Sequence, residues 1–365
     1  MTKPPYVVPT MKDIEAIKWN GFNVVSTFSG CGGSCLGLRM AGYRTLYASE
    51  FIPAAIETYK ANHPNTYLDT RDIRLVTPED ILSHIPKGQD VHLMEGSPPC
   101  AAFSIAGKRS KSWGKVKKYS DTEQRVDDLF DEFIRLMEGV QPLVFLMENV
   151  PGLRSGVAKG VMSETLQKMR DAGYQVEVRL LDSQWMGVPQ CRKRLIFQGI
   201  RNDINKQCVW PKPKPYRYSF SDAIPKHVML NEFGPDIIGT IKQTTYPGAL
   251  IIPASTFPTS VSTKRIEYVK GMTYASFKEK GGPYSLDDTP PTILANCDYI
   301  EKHIKTNWST IRKRLSLREL KLICSFPDDF ISTGVSYRKK WERFGRSVPP
   351  LMMKAIGETV RDRIL

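Results

Sequence analysis

The stretch FNVVSTFSGCGGS occupies residues 22–34. Its apolar and β-branched run at 22–28 predicts a buried strand, and the glycine-rich turn at 29–33 leads into a predicted helix. Glycines in such a turn let a ligand approach the backbone, and helix N–H groups can hold a carboxylate or phosphate. Glu50 ends the next predicted strand, where it can accept hydrogen bonds from a ribose diol. Taken alone, the stretch indicates a dinucleotide-type site or a tight strand–helix turn without a ligand.

Strand and helix patterns alternate outward from this stretch as far as about residue 200. Such alternation predicts an α/β fold with a mostly parallel sheet covered on both faces. Beyond residue 200, prolines and glycines break the pattern, which predicts a hinge and a smaller irregular domain. The predicted strands are 44–49, 91–95, 143–147, 174–181 and 194–199, and the predicted helices are 53–61, 124–138, 160–172, 317–324 and 350–364.

The charge balance favours a polyanionic partner. The 365 residues include 52 Lys plus Arg against 38 Asp plus Glu, which gives a formal net charge of +14. Nucleic acid is the first candidate, and the alternative is that the charge only keeps the protein in solution. No apolar stretch approaches the ~18 residues of a membrane span, so we expect no membrane partner. Seven cysteines without regular spacing fit a reducing compartment, where a thiol can act as a nucleophile.

Cys100 is the cysteine with the most suggestive surroundings. It follows the sequence Gly-Ser-Pro-Pro at 96–99, after the predicted strand 91–95. Two prolines stiffen the approach to the carboxyl edge of the sheet, where doubly wound folds place their ligands. Cys100 can therefore be a nucleophile or an ordinary buried thiol. Six basic residues and no acid lie within 101–118, which indicates either a solvated surface or a loop that closes over phosphates.

Two later strands also carry charged residues at their ends. Glu148 and Asn149 follow an apolar strand, where the carboxylate can act as an acid or cap a helix. Arg192 and Arg194 lie at the start of the predicted strand 194–199. From there they can reach the same edge of the sheet or form a surface basic cluster.

Taken in order, these motifs resemble the C5-cytosine DNA methyltransferases. The resemblance covers nearly the whole chain and leaves about 201–285 unmatched. The motifs are Phe-x-Gly-x-Gly-Gly at 28–33, Pro-Pro-Cys at 98–100, Glu-Asn-Val at 148–150, Gln-x-Arg-x-Arg at 190–194, Arg-Leu-Ser-Leu-Arg-Glu at 314–319, Phe-Pro at 326–327 and Gly-x-Ser-Val at 345–348.

The resemblance implies the Rossmann-like fold of S-adenosylmethionine-dependent methyltransferases, with a smaller irregular target-recognition domain. We therefore predict a catalytic and cofactor-binding domain over 1–200, completed by 335–365. The target-recognition domain and its return segment are predicted over 201–334. The recognition sequence itself is not predicted.

The resemblance also implies the chemistry. Cys100 would add to C6 of a flipped-out cytosine while Glu148 protonates or hydrogen-bonds N3. Arg194 would bind the cytosine O2, and Arg192 and Asn149 would support the pocket. The methyl donor would be S-adenosylmethionine and the product S-adenosylhomocysteine.

The binding residues follow from the same resemblance, which implies no metal site. The implied cofactor-binding residues are Phe28, Gly30, Gly32, Gly33, Glu50, Phe51, Asp72, Ile73, Pro99, Leu129, Ser347 and Val348. The implied DNA-binding residues are Ser104, Lys108, Arg109, Lys111 and Asn149. The implied partner is double-stranded DNA. We expect a monomeric bacterial restriction–modification enzyme of the cytoplasm or nucleoid, with a possible cognate endonuclease.

Three positions depart from the family pattern. Ser97 stands where the family usually has glycine, Ala101 where it has glutamine and Arg346 where it has asparagine. The first two can alter the hold on the flipped nucleotide, and Arg346 can weaken a cofactor-side hydrogen bond or turn outward. None removes a reacting group, so we expect an active enzyme.

Three other functions stay open at this point. An RNA cytosine-5 methyltransferase acting on tRNA shares the catalytic motifs, although its usual Cys-Phe-Thr signature is missing after the arginines. A nicotinamide-dependent oxidoreductase would use the glycine-rich turn with Glu50, but it leaves the other motifs unexplained. A catalytically silent DNA-binding relative is disfavoured because Cys100, Glu148 and Arg194 are all present.

Overall fold

The structure is a computed structural model that describes residues 3–99, 117–119, 122–124, 128–154, 158–224, 237–241, 301–305, 310–334 and 336–365. Within these ranges the strands are β1 (Asn23–Thr27), β2 (Arg44–Ser49), β3 (Tyr67–Asp69), β4 (Leu93–Gly96), β5 (Lys117–Tyr119), β6 (Thr122–Gln124), β7 (Val144–Asn149), β8 (Tyr174–Asp182), β9 (Lys193–Arg201), β10 (Ile237–Ile241), β11 (Glu301–Lys305) and β12 (Thr310–Arg314). The helices are α1 (Met11–Ala16), α2 (Gly33–Met40), α3 (Pro53–Asn62), α4 (Pro78–Leu82), α5 (Leu129–Val140), α6 (Ala158–Asp171), α7 (Phe220–Ala223), α8 (Leu317–Ile323), α9 (Tyr337–Arg346) and α10 (Pro350–Arg363). Short 3-10 helices span Ile73–Leu75, Pro151–Arg154, Ser183–Met186 and Asn202–Ile204.

A seven-stranded sheet in the order β3-β2-β1-β4-β7-β9-β8 forms the centre of the fold. Its strands pair in parallel from β3 to β7, whereas β9 is antiparallel to both β7 and β8. The predicted α/β class with a mostly parallel sheet is therefore confirmed. The strand order reverses between β1 and β4, and open α/β sheets bind their ligands at such a point.

The sheet buries both of its faces, as expected for parallel strands that read as continuous apolar runs. Alternate residues of β7 belong to two different hydrophobic clusters. Phe145 packs with α5, including Phe133. Leu146 belongs to the cluster that holds Met352 and Ile356 of α10. Helices therefore cover each face of the sheet at β7, which leaves the edge where the parallel strands end as the place for a site.

A further apolar cluster joins distant parts of the chain. It brings Ile14 of α1 and Leu36 of α2 together with Trp341 and Phe344 of α9. The sequence pattern did not predict α9, because six of its ten residues are charged. Its three aromatic residues, Tyr337, Trp341 and Phe344, nevertheless lie four and three positions apart, on one side of the helix.

The predicted helix 124–138 is wrong at its start. Residues 122–124 form β6, which pairs with β5 in an antiparallel hairpin, so α5 begins at Leu129. The predicted unit 201–334 falls largely outside the described residues. Three of its segments, β10, β12 and β11, form a separate antiparallel sheet. The domain boundaries stay a prediction.

Candidate active site

The glycine-rich turn connects β1 to α2 through left-handed backbone conformations. Phe28, Gly30 and Gly32 have φ values of 53°, 58° and 86°. At Gly33 the constraint is space instead, because an added Cβ would lie 2.4 Å from the carbonyl oxygen of Val348. The turn therefore bends sharply at the end of β1 and contacts the segment that returns from α9.

Glu50 holds this turn through both of its carboxylate oxygens. Oε2 accepts a hydrogen bond from the Gly30 N–H at 2.7 Å, and Oε1 accepts from the N–H groups of Phe51 and Ile52 at 2.8 and 2.7 Å. Burial raises the pKa of Glu50, while the backbone donors and the Arg343 charge oppose that rise. A carboxylate can accept about four hydrogen bonds, so capacity for a ligand hydroxyl remains.

A cleft opens beside the turn, at the point where the strand order reverses, with about 930 Å³ of empty space that includes open solvent. All the residues predicted to hold a cofactor line this cleft except Gly32. The structure therefore brings together residues from 28 to 348 that the motifs had only suggested as neighbours.

The far wall of the cleft combines one acid with apolar side chains. Asp72 caps the 3-10 helix Ile73–Leu75 by accepting from the Arg74 N–H at 3.0 Å. The Arg74 guanidinium bridges Asp72 to Asp128, with ion-pair distances of 3.0 and 2.7 Å. Ile73 and Leu129 are 6% and 2% exposed. This wall offers an oriented carboxylate beside a flat apolar surface.

A buried ion pair occupies the next part of the same sheet edge. Because β9 runs antiparallel to β7, its first residues lie beside the last residues of β7. Arg194 Nε is 2.6 Å from Glu148 Oε1, and both side chains are 11% exposed. Burial lowers the pKa of Arg194, and the Glu148 charge opposes this effect. The geometry places a carboxylate and a guanidinium where both can reach a planar base.

Two more predicted residues support this edge from within. Asn149 donates from Nδ2 to the carbonyl oxygen of Pro98 at 3.1 Å and is 2% exposed. Arg192 Nη2 donates to the carbonyl oxygen of Gly345 at 3.1 Å. Burial, and secondarily the charge of Arg194, lowers the pKa of Arg192 to about 9. Asn149, predicted to contact DNA, is thus bonded to the turn that precedes Cys100.

Several predicted residues lie outside the described part of the chain. They are Cys100, Ala101, Ser104, Lys108, Arg109 and Lys111. The other two departures from the family pattern, Ser97 and Arg346, both line the cleft. Arg346 donates from Nε to Glu342 Oε1 at 2.8 Å.

Two charged residues that the sequence did not single out lie at the site. Arg343 lines the cleft, is 5% exposed and precedes Arg346 by three positions, a helical spacing that was the available signal. Glu95 lies inside β4, is 2% exposed and accepts a hydrogen bond from Ser26 Oγ. Burial raises the pKa of Glu95 to about 7. The sequence gives no signal for a role of Glu95, because this residue ends a predicted strand and belongs to none of the motifs.

Two features are absent from the described residues. No helix among them has the length and apolar character needed to cross a membrane. Within the same ranges, no group of three or more His, Cys, Asp or Glu side chains is arranged to hold a metal ion.

The known proteins that this chain is similar to are methyltransferases. The family model described as C-5 cytosine-specific DNA methylase matches residues 22–362. Type II methyltransferase M1.HphI of Haemophilus parahaemolyticus is 29% identical over 353 residues, covering 92% of this chain and 86% of that protein. Type II methyltransferase M.NgoPII of Neisseria gonorrhoeae is 26% identical over 367 residues, covering 96% and 98%. A Spodoptera frugiperda DNMT2 mutant shares the fold, with a TM-score of 0.66 at 18% identity over 93% of this chain and 99% of that one.

Proposed function

Since the chain belongs to the C-5 cytosine-specific DNA methylase family, we propose that it transfers a methyl group from S-adenosylmethionine to C5 of a cytosine flipped out of double-stranded DNA. One observation carries the proposal at the level of residues. The Glu148–Arg194 pair and the Pro98 carbonyl held by Asn149 lie on the sheet edge where the cleft also opens. Nucleophile, base-binding groups and cofactor are therefore expected side by side.

The described cleft fits S-adenosylmethionine in its chemistry. Phe28 and Ile73 offer surfaces for adenine, Asp72 can accept from the adenine amino group, and Glu50 can accept from a ribose hydroxyl. The close approach of Gly33 to the 345–348 segment leaves no room for a side chain there. When bound, S-adenosylmethionine supplies the electrophilic methyl group that C5 takes up.

The protein residues have to make C5 nucleophilic, because an unactivated cytosine C5 does not attack a methyl donor. We propose that the Cys100 thiolate forms a bond to C6, which moves the electron pair of the C5–C6 double bond toward N3 and C5. Glu148, in its protonated form, gives a proton to N3, and Arg194 binds O2 of the base. Once C5 carries the methyl group, the N3 proton returns to Glu148, water takes the C5 proton, and the Cys100–C6 bond breaks to release the thiolate and restore the aromatic ring.

Arg194 has a second role in this scheme. Its guanidinium contacts Glu148 at 2.6 Å, so the carboxylate and the O2 donor are direct neighbours. A planar guanidinium has five donors, which allows it to keep Glu148 while it binds O2. The pair is therefore suited to recognise adjacent N3 and O2 atoms.

The direct test is to offer labelled S-adenosylmethionine with unmethylated double-stranded DNA and, in parallel, with total tRNA. After digestion to nucleosides, mass spectrometry locates the label. We expect label in 5-methyldeoxycytidine. Label only in 5-methylcytidine would move the assignment to RNA. No label in either, with S-adenosylhomocysteine still bound, would identify a silent relative.

A variant pair tests the nucleophile. Cys100→Ser is expected to abolish turnover while DNA and cofactor binding persist, because the alkoxide is far harder to form than the thiolate. Cys208→Ser is the matched control, since Cys208 bonds the backbone oxygen of Gln198 and does not line the cleft. It should retain wild-type turnover. Turnover by Cys100→Ser at the control's rate would refute the mechanism.

The biological setting is proposed from the relatives. Their names as Type II methyltransferases suggest that this chain protects DNA from a cognate restriction endonuclease in the bacterial cytoplasm or nucleoid. We also propose that it acts as a monomer and that Ser104, Lys108, Arg109 and Lys111 contact the DNA backbone. Light scattering measures the mass, and sequencing of the methylated product identifies the site that an endonuclease partner must share.

A further inference from the structure

The cleft is lined by charges of both signs. Among the described lining residues, the acids are Glu50 and Asp72, which follow β2 and β3. The cations are Arg343 and Arg346, in the last turn of α9. The described part of the cleft therefore offers a ligand two carboxylates and two guanidinium groups.

The two arginines share one carboxylate. Glu342 Oε1 contacts Arg346 Nη2 at 2.7 Å and Nε at 2.8 Å, whereas Oε2 is 3.4 Å from Arg343 Nη2. The three side chains together carry a charge of +1. Glu342 therefore engages Arg346 closely and Arg343 only loosely, and it does not neutralise this end of the cleft.

Arg343 is the better placed of the two to meet a buried ligand. Its side chain is 5% exposed against 26% for Arg346. Its positive charge lowers the pKa of both Glu50 and Cys31, against the effect of burial, so the guanidinium lies close to the glycine-rich turn.

The backbone near Arg343 is fixed against that turn. Ser347 Oγ is 2.8 Å from Cys31 Sγ, and Gly33 packs against the Val348 carbonyl. These contacts hold the segment that follows Arg343 against the glycine-rich turn.

We propose that Arg343 binds the α-carboxylate of S-adenosylmethionine and selects for cofactors with an intact amino-acid end. This inference rests on the proposed function. The α-carboxylate is the anionic group of that cofactor, and Arg is the side chain that recognises a carboxylate through two parallel hydrogen bonds. With adenosine assigned to Glu50 and Asp72, the arginines of α9 are the cations among the described lining residues that remain for the carboxylate.

The competing explanation is that Arg343 only balances the buried charge of Glu50. That role would affect every adenosine ligand equally, since Glu50 faces the ribose. A direct contact affects only ligands that carry the carboxylate. The two explanations therefore differ in ligand selectivity, which does not depend on whether a variant binds more weakly overall.

The experiment measures binding by calorimetry without DNA. The probes are S-adenosylhomocysteine and its decarboxylated analogue, in which an aminopropyl group replaces the amino-acid end. The proteins are the wild type, Arg343→Met and Arg346→Met. The second variant is the matched control, because it removes the same charge from the same cleft at a residue that Glu342 already holds.

We expect Arg343→Met to weaken S-adenosylhomocysteine binding about 10- to 100-fold, as for loss of a charge-assisted hydrogen bond, and to change analogue binding less than about 3-fold. Arg346→Met should weaken the first probe less than about 5-fold. Equal losses for both probes in Arg343→Met, or an equally selective loss in Arg346→Met, would overturn the assignment. Failure of the wild type to bind S-adenosylhomocysteine would instead refute the proposed function.

Discussion

Two glutamates at the same edge of the sheet are held in opposite ways. Glu50 accepts hydrogen bonds from three backbone N–H groups, whereas Glu148 is held by the side chain of Arg194. Backbone donors cannot move independently of the fold, but a side-chain ion pair can rearrange around an incoming group. Under the proposed function, the difference predicts that the cofactor half of the site, around Glu50, is held by the backbone, whereas the base half, around Glu148 and Arg194, adjusts when the substrate binds.

The largest expected effect tests the base half. Glu148→Gln should lower turnover about 10³-fold, because positioned proton transfer typically contributes 10²- to 10⁴-fold. S-adenosylhomocysteine affinity should stay within about 2-fold of wild type, because Glu148 does not line the cleft. Single-turnover kinetics and calorimetry provide the two measurements. Loss of cofactor affinity in this variant would show that the two halves are not separate.

Two glycine variants test how tightly the cofactor half is packed. Gly33→Ala should destabilise the protein by about 2–3 kcal/mol, because its Cβ would meet the Val348 carbonyl oxygen at 2.4 Å. Gly30→Ala should cost about 1 kcal/mol, since its φ is 58° but no atom lies within 4 Å of the new Cβ. Denaturant unfolding measures both. Equal losses would contradict close packing as the reason for Gly33.

The last prediction concerns how stability depends on pH through Glu95, which lies near the turn. Its pKa is raised to about 7 from the model-compound value of 4.5, chiefly by burial, while Ser26, Ser34 and Cys35 lower it by hydrogen bonding and Glu148 raises it. The folded state thus holds a proton that the unfolded state releases, so Glu95 costs stability as pH rises from about 4.5 to 7.

Glu95→Gln removes this pH-dependent cost. Relative to wild type, the variant should gain about 2–3 kcal/mol between pH 5 and pH 8, because glutamine keeps an acceptor for Ser26 but no charge. Thermal unfolding at the two pH values provides the comparison. A difference from wild type that does not change with pH would mean that Glu95 is ionised throughout this range.

Much of the fold follows from local patterns in the sequence. The apolar run of β1, the glycine turn after it and the position of Glu50 depend on neighbouring residues, and the structure has them where the pattern predicts. The direction of β9 could not be predicted, because alternation does not encode strand polarity. Yet that direction brings Arg194 to Glu148.

The missing parts of the candidate site come from contacts that are distant in sequence. Arg343 reaches the cleft because Trp341 and Phe344 anchor a helix whose composition is mostly charged. Gly33 packs against the backbone of Val348, although most of the chain lies between these two residues in sequence. Only the resemblance to a family linked these segments in advance, and the roles of the individual residues stay predictions.

The walls of the cleft come from two parts of the chain that are made at different times. They come from residues up to Leu129 and then from Arg343 onward, a gap of roughly 200 residues that a ribosome crosses in about 10–40 s. During that interval the glycine turn lacks its contact with Val348. Under the proposed function, a nascent chain is therefore expected to gain its affinity for S-adenosylmethionine only after α9 has been made.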